Sequence, residues 1–270
     1  MRRLLKLLGL LIIVLFFFSC DTGNGSVTTI NKEQFTLQDQ RDIGMVLAEA
    51  LRTDYVHFPR LSRTGFPNAY SYLDQLLLTL LNSPRIDNRS TFDWTISIIR
   101  DDTDQLAFAL PGGHLYVSTG LLKVLQGEDQ LVSVLAHLIA FVDDDFLVQR
   151  LRTEFGGVAM GDILLRKTPN DAQTMNLHLR NLRYEESEVY DADDFVIDVV
   201  CPYAYNVYGL SDLLEYVRTS ALDVTWLNQQ RADPSLRIER LEDRAVAQAC
   251  GTEGDTFTTR YQDFLEHYLP

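Results

Sequence analysis

The sequence has few cationic residues and no linker-like stretch. The first shortage argues against a nucleic-acid partner, and the second argues against a division into several domains. Lysine and arginine number 24 against 38 aspartates and glutamates, so the net charge is −14. Nucleic-acid phosphates attract positively charged proteins, so the excess of acidic residues argues against a nucleic-acid partner. No proline-, glycine- or serine-rich stretch divides the 270 residues, of which 46% are hydrophobic. One domain over residues 31–270, with one substantial core, is therefore predicted.

Three common catalytic motifs are also missing. The chain contains no glycine-rich phosphate loop, no G-x-S-x-G elbow and no C-x-x-C pair, so nucleotide, serine-hydrolase and dithiol chemistry have no support. Beyond residue 20 only Cys201 and Cys250 remain. A disulfide between them requires an oxidising compartment and Cα atoms that lie close together, and two buried free thiols are the alternative.

The N-terminus has the composition of a secretory leader. Arg2, Arg3 and Lys6 precede an apolar run, Leu7–Phe18. That run is shorter than the roughly 20 residues of a membrane-spanning helix. Residues 1–19 are therefore predicted to be a signal peptide.

The leader ends in the residues FFSC, which resemble a bacterial lipobox, although Phe17 stands where leucine is usual. The resemblance implies that Cys20 carries a lipid and that residues 20–30 form the lipid anchor and a flexible tether. It places the protein in the bacterial cell envelope, anchored to a membrane and facing the periplasm or the exterior. An ordinary secretory signal with an incidental cysteine is the alternative.

Hydrophobic spacing predicts an α+β fold that is mainly α, with a small three- to four-stranded sheet packed on helices. Apolar residues three and four apart predict most of the chain to be helical, and alternating apolar residues predict short strands. The helices are expected near residues 37–55, 73–81, 121–125, 128–145, 172–183, 185–200 and 211–228, and the strands near residues 92–98, 106–110 and 114–118.

The segment Gln130–Asp145, QLVSVLAHLIAFVDDD, is the centre of the pattern. It follows AFALPGG at Ala107–Gly113 and HLYVSTGLL at His114–Leu122. Together these segments resemble the zinc metallopeptidases related to the CAAX prenyl protease and to periplasmic β-barrel-assembly proteases. In that family a segment like N-A-F-A-L-P-G-G leads to a helix carrying H-E-x-x-H. The resemblance spans roughly residues 36–241 and implies a zincin-like metallopeptidase fold.

In that family two histidines and a third residue bind zinc, and the glutamate after the first histidine is the general base. Matched to this sequence, the first ligand is His137, the base position is Leu138 and the second ligand position is Phe141. The segment EESEVYDADD resembles the family's E-x-E-A-D and places Val189 at the third ligand position. The resemblance therefore implies no catalytic residue, a vestigial histidine and no cofactor.

Recruitment of replacement ligands is the competing interpretation, under which the chain is a zinc metalloendopeptidase. The side chains available for it are Asp143, Asp144, Asp145, His178 and Glu188. Hydrocarbon at three of the four positions instead favours a site converted into core, because a buried polar group without a partner costs free energy and a buried apolar side chain gains it. His137 is then predicted to be a hydrogen-bonded core histidine.

The resemblance also implies a peptide-binding strand edge, to which an extended polypeptide adds by backbone pairing. The residues of this edge are Leu106, Ala107, Phe108, Ala109, Leu110 and His114. The predicted function is a catalytically inactive pseudopeptidase that binds a polypeptide or an envelope protein partner and is held to the membrane by its lipid. A structural envelope lipoprotein without a binding groove is a further alternative.

Overall fold

A three-stranded sheet forms one wall of the core. β1 (Thr95–Ile99), β2 (Ala107–Leu110) and β3 (His114–Ser118) are ordered β1-β3-β2, with β3 parallel to β1 and antiparallel to β2. The β2–β3 turn depends on two glycines, since Gly112 and Gly113 have φ angles of 77° and 96°, a region that only glycine adopts freely. The strand at residues 114–118 is confirmed, and the strand at residues 106–110 is confirmed in shorter form. The strand predicted at residues 92–98 forms at Thr95–Ile99.

The computed structural model describes residues 35–167, 169–220, 222–251 and 254–270. The predicted signal peptide, the predicted lipid attachment at Cys20 and the predicted tether up to residue 30 lie outside these ranges. In the described part of the chain the helices are α1 (Leu37–Thr53), α2 (Pro67–Leu81), α3 (Thr119–Val124), α4 (Glu128–Asp143), α5 (Phe146–Leu164), α6 (Pro169–Leu179), α7 (Glu186–Val200), α8 (Gly209–Ser220), α9 (Thr225–Asn228), α10 (Pro234–Ala247) and α11 (Thr258–Tyr268).

Helix α4 is the centre of the core, and every one of its residues is buried. It packs against α2, α5, α7, α8 and α11 and against β2 and β3. Its first turn carries Glu128 and Asp129, whose negative charges suit the positive end of the helix dipole. A helix that is surrounded on all sides places any functional group it carries out of contact with water.

Helices α7 and α10 are held together by a row of ionic contacts that ends in a disulfide. Asp194 pairs with Arg240 at 3.5 Å and Asp198 with Arg244 at 2.8 Å. Beyond them, at the end of α7, Cys201 is bonded to Cys250, with Cα atoms 5.3 Å apart. The sequence left open whether these cysteines form a disulfide or remain free thiols, and in the structure they form the disulfide.

The predicted fold class is confirmed, since the chain is mainly helical with a small sheet. The prediction of one helix over residues 211–228 is wrong, because that segment contains two helices, α8 and the single-turn α9, and residues 222–224 before α9 are non-helical. Among the described residues, no helix is both long enough and apolar enough to cross a membrane.

Candidate functional site

The candidate site lies where α4 faces α7 and α10. His137 projects from α4 and has no solvent exposure. Its Nε2 atom lies 3.2 Å from Oδ1 of Asp193 on α7. Arg237 on α10 binds the same carboxylate with two donors, Nε at 2.8 Å and Nη2 at 2.7 Å. This forked contact between a guanidinium and a carboxylate is the strongest form of side-chain ion pair.

All three groups of this buried network are shielded from water, which determines their charges. Burial lowers the pKa of His137, so its imidazole is neutral at pH 7. Burial alone would raise the pKa of Asp193, but the charge and hydrogen bonds of Arg237, together with His137, outweigh it and hold that pKa below its usual value. His137 is therefore a neutral, buried imidazole beside a closed ion pair.

The other nitrogen of His137, Nδ1, is buried without a hydrogen-bond partner among the described residues. When Nε2 carries the proton and donates to Asp193, Nδ1 is an acceptor, and the ring packs against aromatic neighbours. The imidazole meets Phe141 and Trp226 edge-on, with ring centroids 4.7 and 5.4 Å away. The ring is therefore held by packing as much as by hydrogen bonding.

Phe141, at the second ligand position, fills the space beside His137. Its ring stacks on Tyr184, with centroids 3.6 Å apart and an interplanar angle of 6°. Leu138, at the base position, is 2% exposed and lines the same space together with Trp226. The remaining cavity measures about 10 Å³, which is room for about one water molecule.

At the third ligand position Val189 has no solvent exposure. The adjacent Glu188 points elsewhere: its carboxylate binds Arg150 at 2.6 Å and accepts the backbone N–H of Glu185 at 2.8 Å. One step along a helix rotates a side chain by about 100°, and here that rotation directs Glu188 into a capping contact and away from His137.

The other proposed replacement ligands also have structural roles or lie at the surface. The Asp143 carboxylate accepts the backbone N–H groups of residues 87 and 88 at 3.0 and 2.8 Å. Asp144 pairs with Arg85 at 2.8 Å, and Asp145 accepts a hydrogen bond from Gln40. His178 is exposed. The aspartates therefore hold the end of α4 to its neighbours.

The residues at the candidate site do not fit a zinc ion. Nη2 of Arg237 lies 3.4 Å from Nε2 of His137, which puts a fixed positive charge beside the one imidazole. Phe141 and Val189 offer no ligand atom. In the described ranges, no group of three or more histidine, cysteine, aspartate or glutamate side chains is placed to hold a metal.

The predicted peptide-binding edge is the outer strand of the sheet, but its side chains are buried. Leu106 pairs with Ser118 of β3 through the Ser118 N–H and the Leu106 carbonyl, 2.9 Å apart. Antiparallel pairing alternates, so the backbone groups of Ala107 and Ala109 point away from β3, toward the small cavity beside Phe141. Phe108 also lines that cavity, whereas Leu110 is fully buried.

A short segment covers this edge. The N–H of Trp226 in α9 donates to the Gln105 carbonyl just before β2, at 2.9 Å. The carbonyl of Gln229 accepts from the Tyr184 N–H at 3.1 Å. The sequence pattern did not identify this cover, because it assigned residues 211–228 to one amphipathic helix.

The placement of His114 beside the cleft edge is wrong. His114 begins β3, accepts or donates one hydrogen bond with Thr95 at 2.9 Å, and lines a different recess on the side of α1. Burial lowers the pKa of His114. It therefore makes no contribution to the cavity beside Phe141.

Sequence reasoning did not assign a role to Asp193 and Arg237. Asp193 lies in the segment EESEVYDADD, which resembles the family's E-x-E-A-D, and Arg237 begins the segment RIERL at Arg237–Leu241. The usable signal was an acidic residue inside an apolar helix stripe, which requires a partner when it is buried.

Comparison with known proteins gives two results. The model of "Peptidase family M48" matches residues 67–214, which is more than half of the chain. The mitochondrial metalloendopeptidase OMA1 of Schizosaccharomyces pombe is 44% identical over 52 residues. That match covers 19% of this chain and 15% of the relative's length.

Proposed function

The chain belongs to peptidase family M48, and from that premise we propose that it is a non-catalytic member, a membrane-anchored envelope lipoprotein that binds polypeptides without cleaving them. The observation that carries this proposal is the content of the candidate site. Where the family's chemistry needs two further ligands and a base, this chain has Phe141, Val189 and Leu138, and an arginine pairs with the aspartate beside His137.

The loss of activity is supported by geometry and energy together. A catalytic zinc site requires about three protein ligands and one open position for water. Here one imidazole remains, it faces a guanidinium, and the space beside it holds about one water molecule. Restoring a metal would require breaking the Asp193–Arg237 pair, which typically costs about 3–5 kcal/mol.

Retention of a peptide is supported by the outer edge of β2. Ala107 and Ala109 direct backbone donors and acceptors away from β3, and strand addition needs such groups. The aromatic side chains of Trp226 and Tyr184 stand over them, so an extended peptide enters only after α9 moves. A polypeptide ligand also agrees with the fission yeast relative, which is a metalloendopeptidase by name.

The first test measures metal and cleavage. We expect purified full-length protein in detergent to hold well below one equivalent of zinc after zinc incubation and dialysis, and to leave an unfolded casein substrate intact. About one equivalent of zinc, with cleavage lost on chelation or in His137→Ala, would establish the endopeptidase alternative in its place.

The second test measures binding to a fluorescent unfolded polypeptide by anisotropy. Trp226→Ala is expected to tighten binding by removing the cover, and Ala109→Pro to weaken it at least tenfold by removing one cleft-facing N–H. Trp94→Phe, which changes a tryptophan away from the cavity, is the matched control. Failure of the wild type and of Trp226→Ala to bind any polypeptide would leave the structural lipoprotein as the better account.

A further inference from the structure

A second hollow in the molecule is lined by arginines, and we call it the arginine recess. It measures about 290 Å³ and is bounded mainly by Glu49, Arg52, Arg60, Arg63, Ser97 and Tyr116. It shares no lining residue with the cavity beside Phe141. Its function is therefore separable from that of the candidate site.

The recess has three sides, each set by a regular pattern. Ser97 of β1 and Tyr116 of β3 are register partners, so they share one face of the sheet and form the floor. Glu49 and Arg52 lie one turn apart on α1 and form one wall. The other wall is an extended segment against the edge of β1, where Arg60 pairs with Ile99 as an isolated bridge.

Cations outnumber carboxylates on these walls. Arg52 is paired with Glu49 of its own helix, with Nε 2.7 Å from Oε2. Arg63 binds Asp74 outside the recess, at 2.6 Å. Arg60 is paired with no carboxylate in the part of the chain that the structure describes; its Nη2 donates to the Arg52 carbonyl at 3.2 Å. Glu49 and Asp74 offset two of the three guanidiniums, so Arg60 leaves one positive charge without a carboxylate partner in a protein whose net charge is −14.

Several donors in the recess have no acceptor. Nε of Arg60 is buried and unpartnered among the described residues. Tyr116 is only 3% exposed, and neither its hydroxyl nor that of Ser97 makes a hydrogen bond to any described residue. Nε of Arg60 is thus a buried donor without an acceptor, and the hydroxyls of Ser97 and Tyr116 are free to donate to a group in the hollow. These donors are a reason to expect an acceptor from outside the chain.

From this geometry we propose that the arginine recess binds a phosphate-class oxyanion, in which Arg60, Arg52 and the hydroxyls of Ser97 and Tyr116 contact the phosphoryl oxygens. Guanidiniums present paired donors that match phosphate oxygens. A phosphate-class anion would offset the positive charge of Arg60 and supply acceptors for the unpartnered donors. The phosphoryl group comes either from free phosphate or from the headgroup of a membrane phospholipid.

The test begins with inorganic phosphate as the probe, titrated calorimetrically into the full-length protein in detergent at constant ionic strength set with chloride. We expect one saturable site. Arg60→Gln is expected to weaken binding at least tenfold, and Arg52→Gln and Tyr116→Phe about three- to tenfold. Circular dichroism of each variant confirms that the fold is retained.

Arg218→Gln is the matched control, because Arg218 also pairs with a glutamate three residues earlier, Glu215, but lies on α8 outside the recess. Its affinity for phosphate is expected to equal that of the wild type. A loss in Arg218→Gln as large as in Arg52→Gln would show that net charge, and not the recess, attracts the anion, and would overturn the proposal.

A second arm identifies the source of the phosphoryl group. Vesicles of phosphatidylcholine, with and without phosphatidylglycerol, are compared for the wild type and Arg60→Gln, so that any lipid anchor contributes equally. A gain on phosphatidylglycerol that Arg60→Gln abolishes assigns the site to a lipid headgroup, whereas binding of inorganic phosphate alone assigns it to the free ion. No Arg60-dependent binding in either arm would refute the site, whether or not the protein binds polypeptides.

Discussion

At the scale of single residues, the side chains that contact His137 determine its role, and the identity of the residue as histidine does not. A histidine there is compatible with metal binding, but its Nε2 faces Asp193, and Asp193 is already bound by Arg237. Phe141 and Trp226 close the remaining sides of the ring. The same imidazole that begins a zinc motif is therefore part of the core.

Removal of Arg237 tests this network. Arg237→Leu leaves the buried Asp193 without its cation, and we expect the free energy of unfolding to fall by about 3–5 kcal/mol, measured by urea denaturation. Arg240→Gln is the matched control, since Arg240 makes an exposed pair with Asp194 on the same two helices; it is expected to cost less than about 1 kcal/mol. Equal effects of the two substitutions would contradict a buried role for Arg237.

The pH dependence of stability is expected to carry a contribution from Asp129. Burial raises the pKa of Asp129 to about 6, against lowering by its hydrogen bonds, chiefly that of Asn206. The unfolded value is about 3.9, so between pH about 4 and 6 the folded state keeps a proton that the unfolded state has lost. The free energy of unfolding therefore falls as the pH rises through this interval, by up to about 3 kcal/mol.

Asp129→Asn should remove that contribution. The urea midpoint of the variant should therefore rise relative to that of the wild type between pH 4 and pH 6, and the difference should persist at pH 7. Asp243→Asn, which makes the same change at an exposed position, serves as the control. If the midpoints of wild type and Asp129→Asn stay a constant distance apart over this range, the raised pKa is wrong.

At the scale of elements, the fold depends on close approaches between segments far apart in the sequence. α1 crosses the β2–β3 turn at Gly44, where an added Cβ would lie 1.8 Å from the carbonyl oxygen of Pro111. α7 and α10 are joined by the Cys201–Cys250 bond. Both contacts fix the position of the walls around α4.

Gly44→Ala is expected to destabilise the protein by roughly 1–3 kcal/mol, because backbone and helix must separate to admit the methyl group. Gly161→Ala is the matched control: a Cβ at this buried helical position meets nothing within 4 Å. It is expected to be neutral or to stabilise by up to about 1 kcal/mol. Thermal unfolding of the two variants separates close packing from helix propensity.

Loss of the disulfide is expected to lower the free energy of unfolding by about 2–4 kcal/mol, since the bond closes a loop of 49 residues. The comparison is between the wild type and the double variant Cys201→Ala, Cys250→Ala, each unfolded with and without dithiothreitol. The reductant should lower the midpoint of the wild type only. A wild-type midpoint that does not respond to reductant would show that the bond contributes nothing.

At the scale of the whole molecule, the C-terminal helix completes the core. Glu128, at the start of α4, has no solvent exposure. Its carboxylate accepts from Tyr72 at 2.6 Å, from Tyr205 at 2.9 Å and from Nε of Arg260 on α11 at 2.6 Å. Tyr261 of α11 is fully buried as well. Sequence reasoning placed no helix or strand after residue 228 and did not find this network.

Deletion of residues 255–270 is expected to abolish cooperative unfolding, because it leaves the Glu128 carboxylate without its cation and exposes apolar surface worth about 1.5–3 kcal/mol for each large side chain. Near-ultraviolet circular dichroism during heating measures the effect. Deletion of only residues 269 and 270, which follow α11, should leave the transition unchanged. A truncated protein with a wild-type transition would mean that α11 is dispensable.

The sequence by itself determined the features of this protein that depend on regular spacing of apolar residues. Period-2 and period-3.6 spacing predicted the strands, the start of α4 at Glu128 and the fold class, because each element buries one set of side chains in order. It also determined that positions 138, 141 and 189 carry hydrocarbon, since this is a matter of residue identity alone.

Only the tertiary structure decided which distant residues meet. His137, Asp193 and Arg237 meet from three separate helices, Trp226 covers β2, and Cys201 is bonded to Cys250. These contacts join residues from 44 positions apart, for Asp193 and Arg237, to 226 − 105 = 121 positions apart, for Trp226 and Gln105. Local periodicity specifies which face of an element is buried but not which element it is buried against. The chemistry of the candidate site was therefore fixed by packing, after the secondary structure had already been set.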